Sequence, residues 1–307
     1  MKSSILVTGS LALDTIKTDK HFVAHTVGGS VIYFSHAANI FTQVSVVAVA
    51  GNDFPEEFIG LMSERGIDVS NIEIRKDKKS FHWEGSYEND FNEAETLNTE
   101  LGVFADFNPM LSEREKKIKT LFLANIDPDI QLSVIEQSEA ELIGLDSMNL
   151  WIETKRESLE KVIKKCNILF LNETESRLLT GCRKNYEVGQ AILDMGVEVA
   201  VIKQGHYGVN LFYKDLYFPL PVYPTRNVID PTGAGDSFAG GFMGYLSRKE
   251  NKINEENLKT ALAVGAVTAS LNIEGFSLDI LSKISIDDIK ERLLFFSKML
   301  CLNPDWR

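Results

Sequence analysis

Short apolar runs rich in β-branched residues recur along the chain, and each is followed by a stretch in which apolar residues repeat at helical spacing. Runs that are hydrophobic at nearly every position are typical of strands buried on both faces. Strands are predicted at residues 5–8, 44–49, 120–123, 142–145, 168–171 and 197–202. Helices are predicted between them at residues 31–42, 55–65, 128–137, 155–165, 174–180 and 186–195. This alternation predicts an α/β fold with a mostly parallel sheet and helices on both of its faces.

The pattern changes after residue 202. Residues 209–213 and 216–220 alternate around Lys214 and Asp215, as the two strands of a hairpin do. Helical periodicity then dominates at residues 234–246, 255–271 and 286–294. No composition shift marks a boundary, so we expect a single domain over residues 1–307.

Two segments do not fit the alternation of strands and helices. Residues 71–107 contain Phe81, Trp83, Tyr87, Phe91, Phe104 and Phe107, and residues 15–27 are a polar stretch between the first strand and the first helix. Both are predicted to form extra strands outside the main sheet, which together would build a small β lid. An insertion so rich in aromatic rings predicts a homodimer that buries the lid against a second copy, the alternative being a lid folded onto its own chain.

The composition is that of a globular protein, with 44% hydrophobic and 25% charged residues. Lys and Arg number 32 against 44 Asp and Glu, a net charge of -12 that argues against nucleic acid as a partner. No apolar run is long enough to span a bilayer, so a cytoplasmic protein without a membrane partner is expected. The three cysteines and five histidines lack the spacing of a disulfide framework or a zinc site.

The strongest chemical signal is a glycine-rich turn within residues 227–242, placed just before a helical pattern. Its small residues Gly233, Ala234 and Gly235 allow a ligand to approach the backbone closely, and amides at a helix N-terminus attract anions. Asp236 follows in the first helical turn. It is either a partner of the helix dipole or, with phosphates bound to the neighbouring amides, a base for an attacking hydroxyl.

The run of residues 230–241, DPTGAGDSFAGG, resembles the C-terminal signature of the ribokinase-like (PfkB) carbohydrate kinases, which include sugar and nucleoside kinases. The resemblance implies a three-layer α/β fold and a kinase that uses ATP and Mg²⁺ on a small-molecule substrate. It also implies that Gly233 to Gly235 form the anion hole and that Asp236 is the catalytic base. Asp230 and Thr232 correspond to residues that hold a monovalent cation such as K⁺ in many relatives.

Other segments carry the same resemblance on the acceptor side. Asp14 is similar to the aspartate that ends the first strand of the family and binds substrate hydroxyls, and its alternative is a turn residue. Gly28 and Gly29 resemble the di-glycine against which the substrate lies, or are a plain loop pair. Tyr33 stands where sugar kinases carry an asparagine, and Asn125 where they often carry a glutamate. A ring at position 33 would favour a nucleoside over free ribose, unless it points into the core.

On the nucleotide side, Asn172 and Glu175 resemble the family's Asn-x-x-Glu element, which orders Mg²⁺ and its waters. The same spacing is that of a helix capping box, and the two interpretations are compatible. Lys203 begins a glycine-bearing loop with Gly205 and Gly208 that relatives place beside ATP. The small-residue helix leading to Gly275 is similar to the wall of the adenine pocket, and is equally typical of a packed core helix.

One further segment, residues 146–149, partly resembles an Asp-x-Asn element of ketosugar-acid kinases but lacks the arginine that follows it there.

Three classes of function are consistent with such a fold. The first is an ATP-dependent kinase acting on a hydroxyl of a sugar, nucleoside or related polyol. The second is a non-catalytic ligand sensor, which would not need the anion hole, the base and the Asn172–Glu175 pair together. A nicotinamide-dependent dehydrogenase is disfavoured because no Gly-x-Gly-x-x-Gly follows the first strand, and the sequence contains no Walker motif.

Overall fold

The computed structural model describes residues 4–18, 22–87 and 95–301. The strands are β1 (Ser4–Thr8), β2 (Ala12–Thr18), β3 (Phe22–Gly28), β4 (Gln43–Gly51), β5 (Asp68–Arg75), β6 (Phe81–Tyr87), β7 (Glu95–Glu100), β8 (Thr120–Leu123), β9 (Leu142–Asp146), β10 (Ile168–Asn172), β11 (Val199–Lys203), β12 (Val209–Tyr213) and β13 (Leu216–Leu220). The α-helices are α1 (Ser30–Asn39), α2 (Glu56–Glu64), α3 (Pro128–Gln137), α4 (Asn149–Thr154), α5 (Arg156–Ile163), α6 (Glu173–Thr180), α7 (Asn185–Asp194), α8 (Ala234–Arg248), α9 (Glu255–Asn272) and α10 (Ile286–Leu300).

The central sheet has the strand order β13-β12-β11-β10-β9-β8-β1-β4-β5. Strands β5, β4, β1, β8, β9, β10 and β11 pair in parallel, and β12 and β13 extend the sheet as an antiparallel hairpin. Successive residues of a strand point to opposite faces, so Ile5 and Val7 join one hydrophobic core while Leu6 joins the other. The predicted three-layer α/β fold is confirmed.

The second sheet, which we call the lid, has the order β3-β2-β6-β7. Strands β2 and β3 form one hairpin and β6 and β7 another, and β2 pairs with β6 in parallel, which joins the two. The second predicted lid segment, residues 71–107, begins too early, because residues 71–75 belong to β5 at the edge of the central sheet. The first predicted segment, residues 15–27, begins too late, because β2 of the lid begins at Ala12.

The aromatic rings of the predicted lid do not all lie on it. Phe104 and Phe107 are buried in the core of the central sheet, where their rings make an edge-to-face contact with centroids 5.7 Å apart. Phe91 lies outside the described residues. The part of the chain that the structure describes contains no helix long and apolar enough to cross a membrane.

Parallel strands bring their carboxyl ends to one edge of the sheet, which is where ligands bind in such folds. Asp146, Asn172 and Lys203 are the last residues of β9, β10 and β11. The glycine-rich turn and the start of α8 complete this edge, which we call the catalytic edge.

Candidate active site

The glycine-rich turn has a conformation that requires glycine at its centre. Gly233 is the N-cap of α8 with φ 73°, and a β-carbon placed there would lie 2.3 Å from Cγ of Tyr33. The Ala234 amide donates to the Pro231 carbonyl at 3.1 Å, which closes the turn. The amides that follow are in the first turn of α8, where N–H groups have no partner within the helix. The turn therefore presents donors and the positive end of a 15-residue helix to an anion.

Asp236 lies in this first turn and is partly buried. Burial, and next the negative charge of Asp146, raise its pKa to about 7, while the ammonium of Lys203 acts in the opposite direction. A carboxylate with a pKa near neutrality is suited to accepting a proton from a hydroxyl group. The geometry and the charges are those expected of a general base beside an anion site.

Lys203 reaches the same turn from the end of β11. Its Nζ lies 2.8 Å from Oδ2 of Asp146, and a β-carbon placed at Gly235 would lie 3.1 Å from that Nζ. Gly235 thus leaves room for an ammonium group directly against the backbone. The pKa of Lys203 is raised, because the attraction of Asp146 and then Glu175 outweighs the penalty of burial.

Asp146 is the residue of this site that sequence reasoning left out of the predicted set. It is 4% exposed, its Oδ1 accepts from the Ser147 amide at 2.9 Å, and burial raises its pKa against the attraction of Lys203. The signal that could have found it is its position: it is an acidic residue at the carboxyl end of a buried parallel strand, at the same edge of the sheet as Asn172 and Lys203.

On the acceptor side, Asp14 is buried and faces the same turn. It lies in β2 of the lid, not at the end of the first strand as predicted, because the chain leaves β1 at Thr8. Burial raises its pKa to about 8, with the charges of Asp236 and Asp230 adding to the effect. The structure therefore brings Asp14 within electrostatic reach of the candidate base.

The two glycines predicted beside Asp14 are explained by close approach. A β-carbon at Gly28 would lie 1.9 Å from Oδ2 of Asp14, and one at Gly29 would lie 2.4 Å from the Ser10 carbonyl oxygen. Gly29 also has φ 102°. The pair allows the chain to pass over Asp14 before α1 begins at Ser30.

Tyr33 does not line an acceptor pocket. It is 1% exposed, belongs to the core, and places its ring directly under Gly233. The ring points into the core, which is the alternative given above, so residue 33 confers no preference for a nucleoside over free ribose. The physical reason is that a phenol ring fills the space under the turn.

Asn125 lies at the carboxyl end of β8, between the catalytic edge and the lid. Its Oδ1 accepts from Nε1 of Trp151 at 3.0 Å, and its carbonyl accepts from Oγ of Ser30 at 3.4 Å. Asn125 lines a small cleft with Ser10, Phe81 and Trp151. It is therefore placed beside a part of the cleft that mixes aromatic and hydrogen-bonding groups.

The nucleotide side begins at a capping box. Oδ1 of Asn172 accepts from the Glu175 amide and Oε2 of Glu175 accepts from the Asn172 amide, both at 2.7 Å. The capping interpretation is confirmed and fixes both side chains at the start of α6. Among the described residues no three His, Cys, Asp or Glu side chains cluster as a metal site, so a divalent ion here would need oxygen ligands from phosphates or water.

Of the three remaining glycines, Gly208 and Gly275 are required by local packing, and Gly205 lies at the surface. Gly205 has φ 54° in a short 3₁₀ turn and is exposed beside Lys203. A β-carbon at Gly208 would lie 2.2 Å from the Leu220 carbonyl oxygen, and one at Gly275 would lie 2.3 Å from Cγ1 of Ile280. Gly208 is thus required by the β12–β13 hairpin and Gly275 by the chain that follows α9.

A second loop site lies behind the glycine-rich turn. The carboxylate of Asp230 accepts from the amides of Thr232 and Ser277 at 2.9 and 3.3 Å. Nδ2 of Asn272 donates to the Thr232 carbonyl at 2.9 Å, while Oδ1 of Asn272 is buried and accepts no hydrogen bond from the described residues. Carboxylate, carbonyl and amide oxygens together fit a monovalent cation.

Comparisons with known proteins bear on the family and the fold of this chain. The model of the pfkB family carbohydrate kinases matches residues 14–283. The chain is 27% identical over 251 residues to the cytidine kinase of Thermococcus kodakarensis, covering 80% of this chain and 88% of that protein. It is 26% identical over 235 residues to a nucleoside kinase of Methanothermobacter thermautotrophicus, covering 76% and 73%.

The fold matches the aminoimidazole riboside kinase of Salmonella enterica, solved with aminoimidazole riboside and an ATP analogue, with a TM-score of 0.75 at 16% identity over 95% of this chain and 100% of that one. This chain therefore belongs to the pfkB family of carbohydrate kinases. The prediction of a phosphotransferase acting on a hydroxyl group of a sugar or nucleoside is confirmed, and the sensor hypothesis is disfavoured.

Proposed function

We propose that this chain is a nucleoside kinase that transfers the γ-phosphoryl group of ATP to a primary hydroxyl group of a ribonucleoside. The observation that carries the proposal is the cluster at the start of α8: Asp236, with its pKa raised to about 7, lies in the helical turn that follows Gly233 to Gly235 and faces the buried Asp14. The nucleoside class is supported by two relatives that match most of this chain, the cytidine kinase of Thermococcus kodakarensis and the nucleoside kinase of Methanothermobacter thermautotrophicus.

In this proposal Asp236 accepts the proton of the attacking hydroxyl, and the amides that the glycine-rich turn presents at the start of α8 stabilise the charge on the transferred phosphoryl group. Lys203 adds a cation on the nucleotide side. Little covalent chemistry is required of the protein, so positioning and electrostatics supply most of the rate enhancement.

Mg²⁺ would be held through water by Glu175 and Asn172, and when bound it neutralises charge on the nucleotide phosphates. A monovalent cation such as K⁺ would be held by Asp230, the Thr232 carbonyl and Asn272, where it stabilises the conformation of the turn. Gly205 and Gly208 would border the nucleotide phosphates or ribose, and Gly275 the adenine. These roles rest on the family resemblance together with the positions described above, except that of Asn272, which rests on its position alone.

The acceptor would bind between the catalytic edge and the lid. Asp14 would accept hydrogen bonds from ribose hydroxyls, with the backbone of Gly28 and Gly29 beneath the sugar. Asn125, Phe81 and Trp151 would face the remainder of the substrate, and an aromatic lining is suited to a planar base. Free ribose would leave this lining without a partner.

The test is ADP release with ATP and Mg²⁺ across a panel of nucleosides, ribose, hexoses, sugar phosphates and keto-acids. We expect the largest kcat/KM for a nucleoside. Asp236→Asn should fold normally and lose about 10² to 10⁴ in kcat, because only the proton acceptor is removed. Asp215→Asn, at an exposed turn residue, is the matched control. Near wild-type turnover by Asp236→Asn would refute the base assignment, and a panel led by ribose or a hexose would refute the nucleoside class.

A further inference from the structure

Lys203 forms a buried ion pair with Asp146 at the catalytic edge, and Asp146 has no part in the function proposed above. Asp146 Oδ2 and Lys203 Nζ are 2.8 Å apart, and the two side chains are 6% and 19% exposed. The desolvation of two buried charges costs free energy, and this cost can exceed the electrostatic attraction between them. A chain built for stability alone is served as well by two apolar residues at these positions.

The position of the pair beside the glycine-rich turn indicates a role in the reaction. The Lys203 ammonium lies against Gly235, in the same turn that presents amides to an anion. An ammonium has three N–H donors, and Asp146 takes one of them, so others remain for phosphate oxygens. Asp146 is in turn fixed by the Ser147 amide and by its place at the end of β9. Lys203 is therefore held in place before any nucleotide arrives.

We propose that Asp146 is a positioning residue that holds the Lys203 ammonium at the glycine-rich turn, so that its charge is already aligned with the phosphoryl group during transfer. This inference rests on the proposed function, since it needs phosphoryl transfer at that turn. A long lysine side chain has several rotatable bonds, and an aligned charge contributes to the rate only when the reaction does not have to reorganise it. Asp146 supplies that alignment without touching the substrate.

The experiment is a double-mutant cycle on the full chain with Asp146→Asn, Lys203→Met and the two combined. For each variant kcat, KM for ATP and the unfolding temperature are measured. We expect Asp146→Asn to lower kcat by about 10- to 100-fold with a smaller change in KM, by analogy with the loss of a group that orients a metal ligand. Lys203→Met should lower kcat by about 10² to 10³.

The combined variant separates positioning from structure. If Asp146 acts through Lys203, the combined variant has the kcat of Lys203→Met within about threefold, although its unfolding temperature recovers because no unpaired charge remains buried. If the pair is only structural, kcat recovers together with the unfolding temperature. That recovery, or a kcat of Asp146→Asn within threefold of wild type, would overturn the proposal.

Two controls keep the interpretation specific. Asp68→Asn removes the carboxylate that pairs with Arg114 at 2.9 Å at the opposite, amino-terminal end of β5, and should leave kcat unchanged. Nucleotide binding is followed separately, as the rise in unfolding temperature on adding ADP and Mg²⁺. A wild type without turnover on any nucleoside would refute the proposed function, whereas an active wild type with an unaffected Asp146→Asn would refute only the positioning role.

Discussion

Asp14 provides a test in which stability and the proposed activity respond in opposite directions. The residue is 5% exposed, and burial, with the charges of Asp236 and Asp230, raises the pKa of its carboxyl group from 3.8 to about 8. The folded protein keeps this proton over a pH range in which the unfolded chain releases it. The carboxyl group therefore favours folding at low pH, and this contribution is lost as the pH rises towards 8. The substitution Asp14→Asn removes this contribution, because an Asn side chain has a similar shape to Asp but does not ionise.

The size of this pH-dependent change in stability follows from the binding of a single proton to Asp14 in the folded protein. Each pH unit between the two pKa values changes the free energy of unfolding by about 1.4 kcal/mol. Between pH 5 and pH 7 the stability of Asp14→Asn relative to wild type should thus increase by about 3 kcal/mol. The increase should level off above pH 8, where the folded carboxyl group has also ionised.

Urea denaturation of both proteins at pH 5, 6, 7 and 8 measures this difference. Asp215→Asn, which makes the same change at an exposed turn position, is the matched control. The same Asp14→Asn protein should bind acceptor poorly, because the Asp14 carboxyl group is the proposed partner of the ribose hydroxyls. A difference in unfolding free energy that is flat, or that falls between pH 5 and pH 7, would show that Asp14 does not have the raised pKa.

Three further predictions concern the turn, the base and the lid. Because the pKa of Asp236 is raised to about 7 and the base must be ionised, kcat/KM for the acceptor should fall below about pH 7, and a pH profile of ADP release with its acid limb near pH 4 would contradict this. Gly233→Ala should unfold at a lower temperature and lose turnover, because φ is 73° and the new methyl group meets the Tyr33 ring. Gly66→Ala, with φ 79° and open space around it, is the control that carries backbone strain alone, and equal effects of the two would refute the packing argument. A homodimer through the lid is still predicted from Phe22 and Leu97, which are 66% and 48% exposed, and light scattering that finds only monomer at micromolar concentration would count against it.

The sequence predicted most of the central sheet because its strands are buried on both faces. Strands β8, β12 and β13 and helix α3 lie at their predicted bounds, and the other predicted elements differ by a few residues at their ends. Helix α4 was not predicted, since its 6 residues are too few for a helical period to be recognised. The sequence predicted that a small β lid is present but not which residues form it. An edge strand such as β5 has a polar pattern similar to that of a lid strand, so the two could not be told apart.

At the site, the sequence alone determined the glycine-rich turn, Asp236 and the capping pair Asn172–Glu175. These signals are local, since a turn, a cap and the start of a helix are formed by residues near one another in the chain. The position of Tyr33 under Gly233 and the contact between Lys203 and Asp146 join residues that are distant in sequence. Both contacts depend on how β9, β11, α1 and α8 pack against one another. Only the tertiary structure decided these contacts, because packing and burial act between elements, and no local pattern records which elements will meet.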